Sequence, residues 1–165
     1  MNARTAENGA LKLEKEPTDL SELANDVARA LQGQAVAGNT QLRVESPLDL
    51  PPVTIDAVRI REVLVNLVTN AVEHTPSGGT IVLSLADAGN EGISVEVSDS
   101  GTGMKPEETD RVFERFHKGM GSRGLGLGLA IARNLVIAHG GDIYLTSEPG
   151  QGTKVRFTIP RDGRD

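Results

Sequence analysis

Residues 56–74, DAVRIREVLVNLVTNAVEH, contain neither glycine nor proline and place Ile60, Leu64, Leu67, Val68 and Ala71 on one face at helical spacing. Immediately after the breaker PSGG come two stretches of period two, TIVLSLAD and GISVEVSD, separated only by AGNEG. A long amphipathic helix feeding a tight hairpin narrows the fold more than any other feature. Strict alternation of strand and helix would need a helix between those strands, and AGNEG cannot hold one. The rest of the chain continues the mixture. LKLEKEP reads as a short edge strand ending at Pro17, and Thr18 or Asp19 can cap a helix over LSELANDVARALQGQA. TQLRVESP is strand-like, PLDLPPV is extended because its prolines forbid helix, and KPEETDRVFERF is a short helix. Gly126 to His139 forms a second long helix, GGDIYLTSEPG a strand and turn, and GTKVRFTIP a final strand. The expected class is α+β: a two-layer α/β sandwich whose mixed, mostly antiparallel sheet is covered on one face by helices. Residues 1–11 read as a tail or linker remnant, 12–160 as the domain and 161–165 as a C-terminal tail.

Composition limits the function. A chain of 165 residues closes one core, and with aromatics at 2% that core must come from Leu, Val, Ile and Ala. A net charge of −6 argues against a dedicated nucleic-acid surface. The absence of cysteine removes disulfides, thiolate catalysis and cysteine zinc sites together. No run is apolar and long enough to cross a bilayer, so a soluble, cytoplasmic segment without membrane contact is expected.

The nineteen glycines are concentrated from Gly101 onward, densest in GMGSRGLGLGLAIARNLVIAHGG. Gly119, Gly121 and Gly124 there spell G-x-G-x-x-G, the dinucleotide fingerprint. That motif needs a strand leading into it, and RVFERFHK is charged and helix-like. Gly124, Leu125, Gly126, Leu127, Gly128 and Leu129 instead open a helix, where unsatisfied N–H groups and the helix dipole suit an anion; a plain flexible loop is the other reading. On the long helix Asn66 and Asn70 share one side, flanked by Glu62, Glu73 and His74. Two mid-helix asparagines either face water or put their carboxamides to use, and a carboxamide oxygen suits magnesium that already carries phosphate. Asp99 ends a strand before Gly101 and Gly103. It can accept from an exocyclic amino group while the glycines admit a flat ring, or it can simply form an Asx turn.

In combination these pieces resemble the nucleotide-binding (Bergerat) fold shared by histidine kinases, type II topoisomerases, heat-shock chaperone ATPases and mismatch-repair ATPases, the GHKL superfamily. Within it the chain looks like the catalytic, ATP-binding domain of a sensor histidine kinase, over about residues 12 to 160. NLVTNAVEHTP resembles the N box, DSGTGM the first glycine box, GLGLGLAIA the second, FERF (Phe113, Phe116) the F box, and GQGTKVRFTIP the closing glycine–threonine element with Thr153.

The resemblance implies ATP and Mg2+ as ligands. Asn70 and Asn66 would hold the metal and phosphates, and Asp99 would take the adenine amino group with help from Thr153. Residues 104–123 would form a lid over the nucleotide. The family often carries a basic residue where this chain has Glu73, which leaves Lys118, Arg115 and Arg123 as candidate phosphate cations, while His74 fits the pattern. Hydrolysing relatives carry a glutamate base where Asn66 stands. An asparagine cannot take a proton from water, so the expected nucleophile is a histidine supplied from outside. None of His74, His117 and His139 has the context of the family's phosphoacceptor. The implied partners are therefore a histidine-bearing dimerisation domain, in the same kinase or a separate chain, and a response regulator downstream. The alternatives are a serine/threonine kinase of the anti-sigma type and a non-catalytic, ATP-gated binding module.

Overall fold

A computed structural model describes residues 12–100, 125–148, 150 and 152–160. In chain order it contains β1 (Glu16–Thr18), α1 (Leu20–Ala37), β2 (Gln41–Glu45), β3 (Val53–Ile55), α2 (Ala57–His74), β4 (Thr80–Asp87), β5 (Ile93–Asp99), α3 (Leu125–Ala138), β6 (Asp142–Glu148) and β7 (Gly152–Ile159). Both N-caps lie where short acidic side chains end an extended stretch. Asp19 accepts from the Glu22 amide at 3.1 Å, and Asp56 accepts from the Arg59 amide at 3.2 Å. The expected hairpin is present, its loop taking a 3-10 turn at Gly89–Glu91.

Five strands form one sheet in the order β2-β4-β5-β7-β6; β2 is parallel to β4 and every other pair is antiparallel. The edge strand expected before Pro17 is Glu16–Thr18 and stays out of this sheet, pairing antiparallel with β3 as a separate ribbon. Pro17 has no N–H to give a ladder, which a two-stranded ribbon tolerates and a central position does not.

Alternation along the strands sends Ile81, Leu83, Leu85, Ile93, Val95, Val97, Val155, Phe157 and Ile159 to a single buried face. Ile60, Leu64, Leu67, Val68 and Ala71 of α2 are buried, with Leu129, Ala132 and Val136 of α3 and Ala24, Val27 and Leu31 of α1. The opposite face carries Ser84, Glu96, Arg156 and Tyr144 and has no helix on it among the described residues. The result is the expected two-layer α+β sandwich. Among the described residues Phe157 is the one aromatic side chain in the core.

Helices α2 and α3 pack together, and a buried histidine pins one end of the pair. His139, directly after α3, is 1% exposed; its Nε2 accepts from the Asp56 amide at 3.1 Å, and its Nδ1–H donates to the Leu135 carbonyl at 2.8 Å. The C-terminal end of α3 thus meets the N-terminal end of α2, and the helices run antiparallel. Fourteen residues back from His139 is Leu125, and fourteen forward from Asp56 is Asn70. At ~1.5 Å per residue, the first turn of α3 lies level with Asn70.

Candidate nucleotide site

The alternation that buries Val95 and Val97 carries Asp99 to the same helix-covered face two residues later. In β7, Thr153 follows Val155 in the same way, and in β6 Ser147 follows Leu145. Register aligns them: Asp99 is opposite Thr153, and Thr153 is opposite Ser147. A core face that is apolar along its length therefore ends in one polar row across three strands. Gly152 brings β7 in closely enough. Its φ is +85°, and a Cβ there would overlap the Asp99 carbonyl oxygen.

The same end of the sheet meets the C-terminal half of α2. Thr75 caps that helix, its hydroxyl donating to the Ala71 carbonyl at 2.6 Å. The Ser100 amide donates to the Thr80 carbonyl at 3.1 Å, and the Thr80 amide donates to Ser100 Oγ at 2.9 Å. Gly79 fills the gap between the two, since a Cβ on it would run into the Thr75 methyl and lie 3.0 Å from Ser100 Oγ.

Asn70 is buried, 9% exposed, and Asn66 half-buried, so for Asn70 a solvated helix face is ruled out. Among the described residues three side-chain polar atoms are buried without a partner: Ser21 Oγ, Asn66 Nδ2 and Asn70 Nδ2. Two of the three stand one helical turn apart on α2. Leaving such donors unmade costs about 1–3 kcal/mol each in an ordinary interior, a cost that an acceptor atom of a polar ligand would remove. The His74 Nδ1–H donates to the Asn70 carbonyl at 2.8 Å, which fixes the ring and leaves Nε2 without a partner among the described residues. Helix α3 begins at Leu125, and the backbone N–H groups of a helix's first turn have no partner within the helix itself.

The family model for the histidine kinase-, DNA gyrase B-, and HSP90-like ATPases matches residues 55–163. The chain belongs to that ATPase family. Over 163 residues it is 34% identical to the adaptive-response sensory kinase SasA of Gloeothece citriformis, a match covering 97% of this chain and 42% of that protein. The chain spans about two fifths of the length of the curated relatives it matches. Full-length ShkA in complex with AMPPNP superposes with a TM-score of 0.81 at 31% identity, covering 92% of this chain and 32% of that one. For the nucleotide-free catalytic domain of the histidine kinase ThkA the score is 0.80 at 30% identity, with coverages of 92% and 98%. ThkA in complex with the response regulator TrrA gives 0.75 at 28% identity, with coverages of 92% and 43%.

Within this ATPase-family chain, six of the residues expected at the site are described with their side chains: Asn66, Asn70 and His74 lie on the C-terminal half of α2, Asp99 and Thr153 are register partners across β5 and β7, and Leu129 lies in the second turn of α3. Leu129 sends its side chain wholly into the core. Leu125, Gly126, Leu127 and Gly128 supply the first turn of α3. Gly101, Gly103, Lys118 and Gly124 fall outside the described residues, as do Phe113, Arg115, Phe116, Arg123 and the segment 104–123. Glu62 is half-exposed, 3.9 Å from Arg59, and Glu73 is exposed. Sequence reasoning missed Ser147, Gly152 and the Thr75–Gly79–Ser100 junction. No residue type among them announces a role; only strand register and close approach do. The sequence pattern ends a helix at His139, and the buried ring there ties α3 to α2.

Proposed function

We propose that this chain is the ATP-binding catalytic part of a sensor histidine kinase. It binds ATP with Mg2+ and passes the γ-phosphoryl group to a histidine on a separate dimerisation and phosphoacceptor domain, with a response regulator downstream and the cytoplasm as the setting. The observations that carry the proposal are the pair of orphaned carboxamides, Asn66 and Asn70, on α2 and the polar row that begins at Asp99 on the helix-covered face of the sheet. The complex of ShkA with AMPPNP and that of ThkA with TrrA support it from similar chains.

The donor chemistry fits the metal. A carboxamide presents a hard, neutral oxygen at one end and two N–H donors at the other, so Asn70 and Asn66 can serve a cation and a phosphoryl oxygen together. Magnesium held by them would neutralise charge on the triphosphate. Every other role falls to protein groups. The Asp99 carboxyl group can accept one hydrogen of an amino group. The N–H groups opening α3 face phosphate oxygens. Asn66 holds no proton-accepting carboxylate, so a water in the site has no base at that position and the acceptor must come from outside.

The test is to incubate the chain with radiolabelled ATP, magnesium and a histidine-bearing helical phosphoacceptor domain. Acid-labile label on that domain is expected. Acid-stable label would make the chain a serine/threonine kinase, and bound ATP without transfer would make it a nucleotide-gated binding module.

A further inference from the structure

Ser147 lies beyond every residue expected to touch nucleotide, yet among its contacts are two of its hydroxyl that decide how the neighbouring threonine behaves. Ser147 Oγ is 3.2 Å from the Gly152 carbonyl oxygen and 2.9 Å from Thr153 Oγ1. A carbonyl oxygen only accepts, so in the bond to Gly152 the Ser147 hydroxyl is the donor. The hydroxyl–hydroxyl bond must then use the proton of Thr153. With that proton committed, Thr153 Oγ1 offers only lone pairs in other directions.

We propose that Ser147 is a positioning and specificity-determining residue: through the relay Thr153 O–H to Ser147 O–H to the Gly152 carbonyl it holds Thr153 as an acceptor. The end of the sheet beside Asp99 then reads a donor group, such as the amino group of a 6-aminopurine, and rejects a 6-oxopurine. This rests on the ATP reading above. Ser147 acts only through Thr153. The relay is braced by backbone, because Gly152 is pressed against the Asp99 carbonyl by a contact that leaves no room for a side chain. Strand register thus ties Asp99, Thr153 and Ser147 into one row.

Without Ser147 the Thr153 hydroxyl can rotate and donate, so an oxo group becomes acceptable. Titration calorimetry with magnesium and either ATP or ITP, on the parent, Ser147→Ala, Ser147→Cys and Ser147→Thr, tests this. The parent should prefer ATP. In Ser147→Ala the preference for ATP over ITP should fall by about 5- to 10-fold, the effect of one hydrogen bond, while Ser147→Thr restores it. Ser147→Cys, similar in size with a weak donor, should fall between them and covers the case in which the alanine variant does not fold. Equal loss of affinity for both nucleotides, or none for either, would overturn the role of Ser147 and leave the ATP reading standing. A parent that binds no adenine nucleotide would instead bring down the ATP reading and the relay with it.

Discussion

Asn70 offers a way to separate stability from ligand binding in one substitution. Its side chain is 9% exposed and its Nδ2 is buried without a partner. An unmatched buried donor costs about 1–3 kcal/mol, and leucine has the same branched outline without polar atoms. Asn70→Leu should therefore stabilise the nucleotide-free protein by ~1–2 kcal/mol. For a chain of this length that corresponds to a rise in Tm of about 3–6 °C. The same change removes a group proposed to hold magnesium and phosphate. With ATP and magnesium at a hundred times Kd, linkage should stabilise the parent by a further ~2.7 kcal/mol, and the variant should gain none of it. Scanning calorimetry with and without the nucleotide reads both effects. A variant that melts below the parent would mean that Asn70 is engaged within the fold, and the reasoning from an orphaned donor would fail. A variant that melts higher but keeps its response to nucleotide would place the ligand elsewhere.

Two other outcomes follow from the geometry. Burial pushes the His139 imidazole below its ordinary value of 6.5. Above that pH the residue is neutral folded or unfolded, and as pH falls through it the unfolded chain binds a proton that the folded chain refuses, so stability drops on acidification. His139→Gln, whose side-chain oxygen can still accept from the Asp56 amide, should show a smaller loss of unfolding free energy between about pH 7.5 and about pH 5.5 than the parent; an unchanged loss in urea titrations would assign the titration to another group. Gly152→Ala combines a left-handed backbone with a steric overlap on Asp99 and should cost at least ~2 kcal/mol in urea unfolding. A loss within about 0.5 kcal/mol would show that β7 can back away from β5 freely.

The elements were legible because their signals are local. Residues 56–74 carry both an unbroken apolar stripe and the capping Asp56, and helix α2 begins one residue after that cap. The hairpin around AGNEG pairs as its alternation requires, from Ile81 opposite Asp99 to Asp87 opposite Ile93. Pairings between distant segments were not legible. Nothing in GTKVRFTIP says that it inserts between β5 and β6, or that LKLEKEP leads into a ribbon with residues 53–55. For the site, Asn66, Asn70, Asp99 and the glycines opening α3 suggested a nucleotide only in combination, and Thr153 entered through the family resemblance. The environment of Asn70 was not legible: a helical wheel places it off the centre of the apolar stripe, and only packing shows its amide sealed without a partner.

Period and residue chemistry, both properties of neighbouring positions, set the class of fold and named the carboxamides and the carboxylate by sequence alone. What the tertiary structure decided is which of these groups share a space. Register across β5, β7 and β6 aligns Asp99, Thr153 and Ser147, and the His139 tie sets the start of α3 level with Asn70. These contacts join residues up to 83 positions apart. Their formation depends on the whole core closing at once, because the entropy lost in bringing such distant segments together is offset only by burial shared across every element.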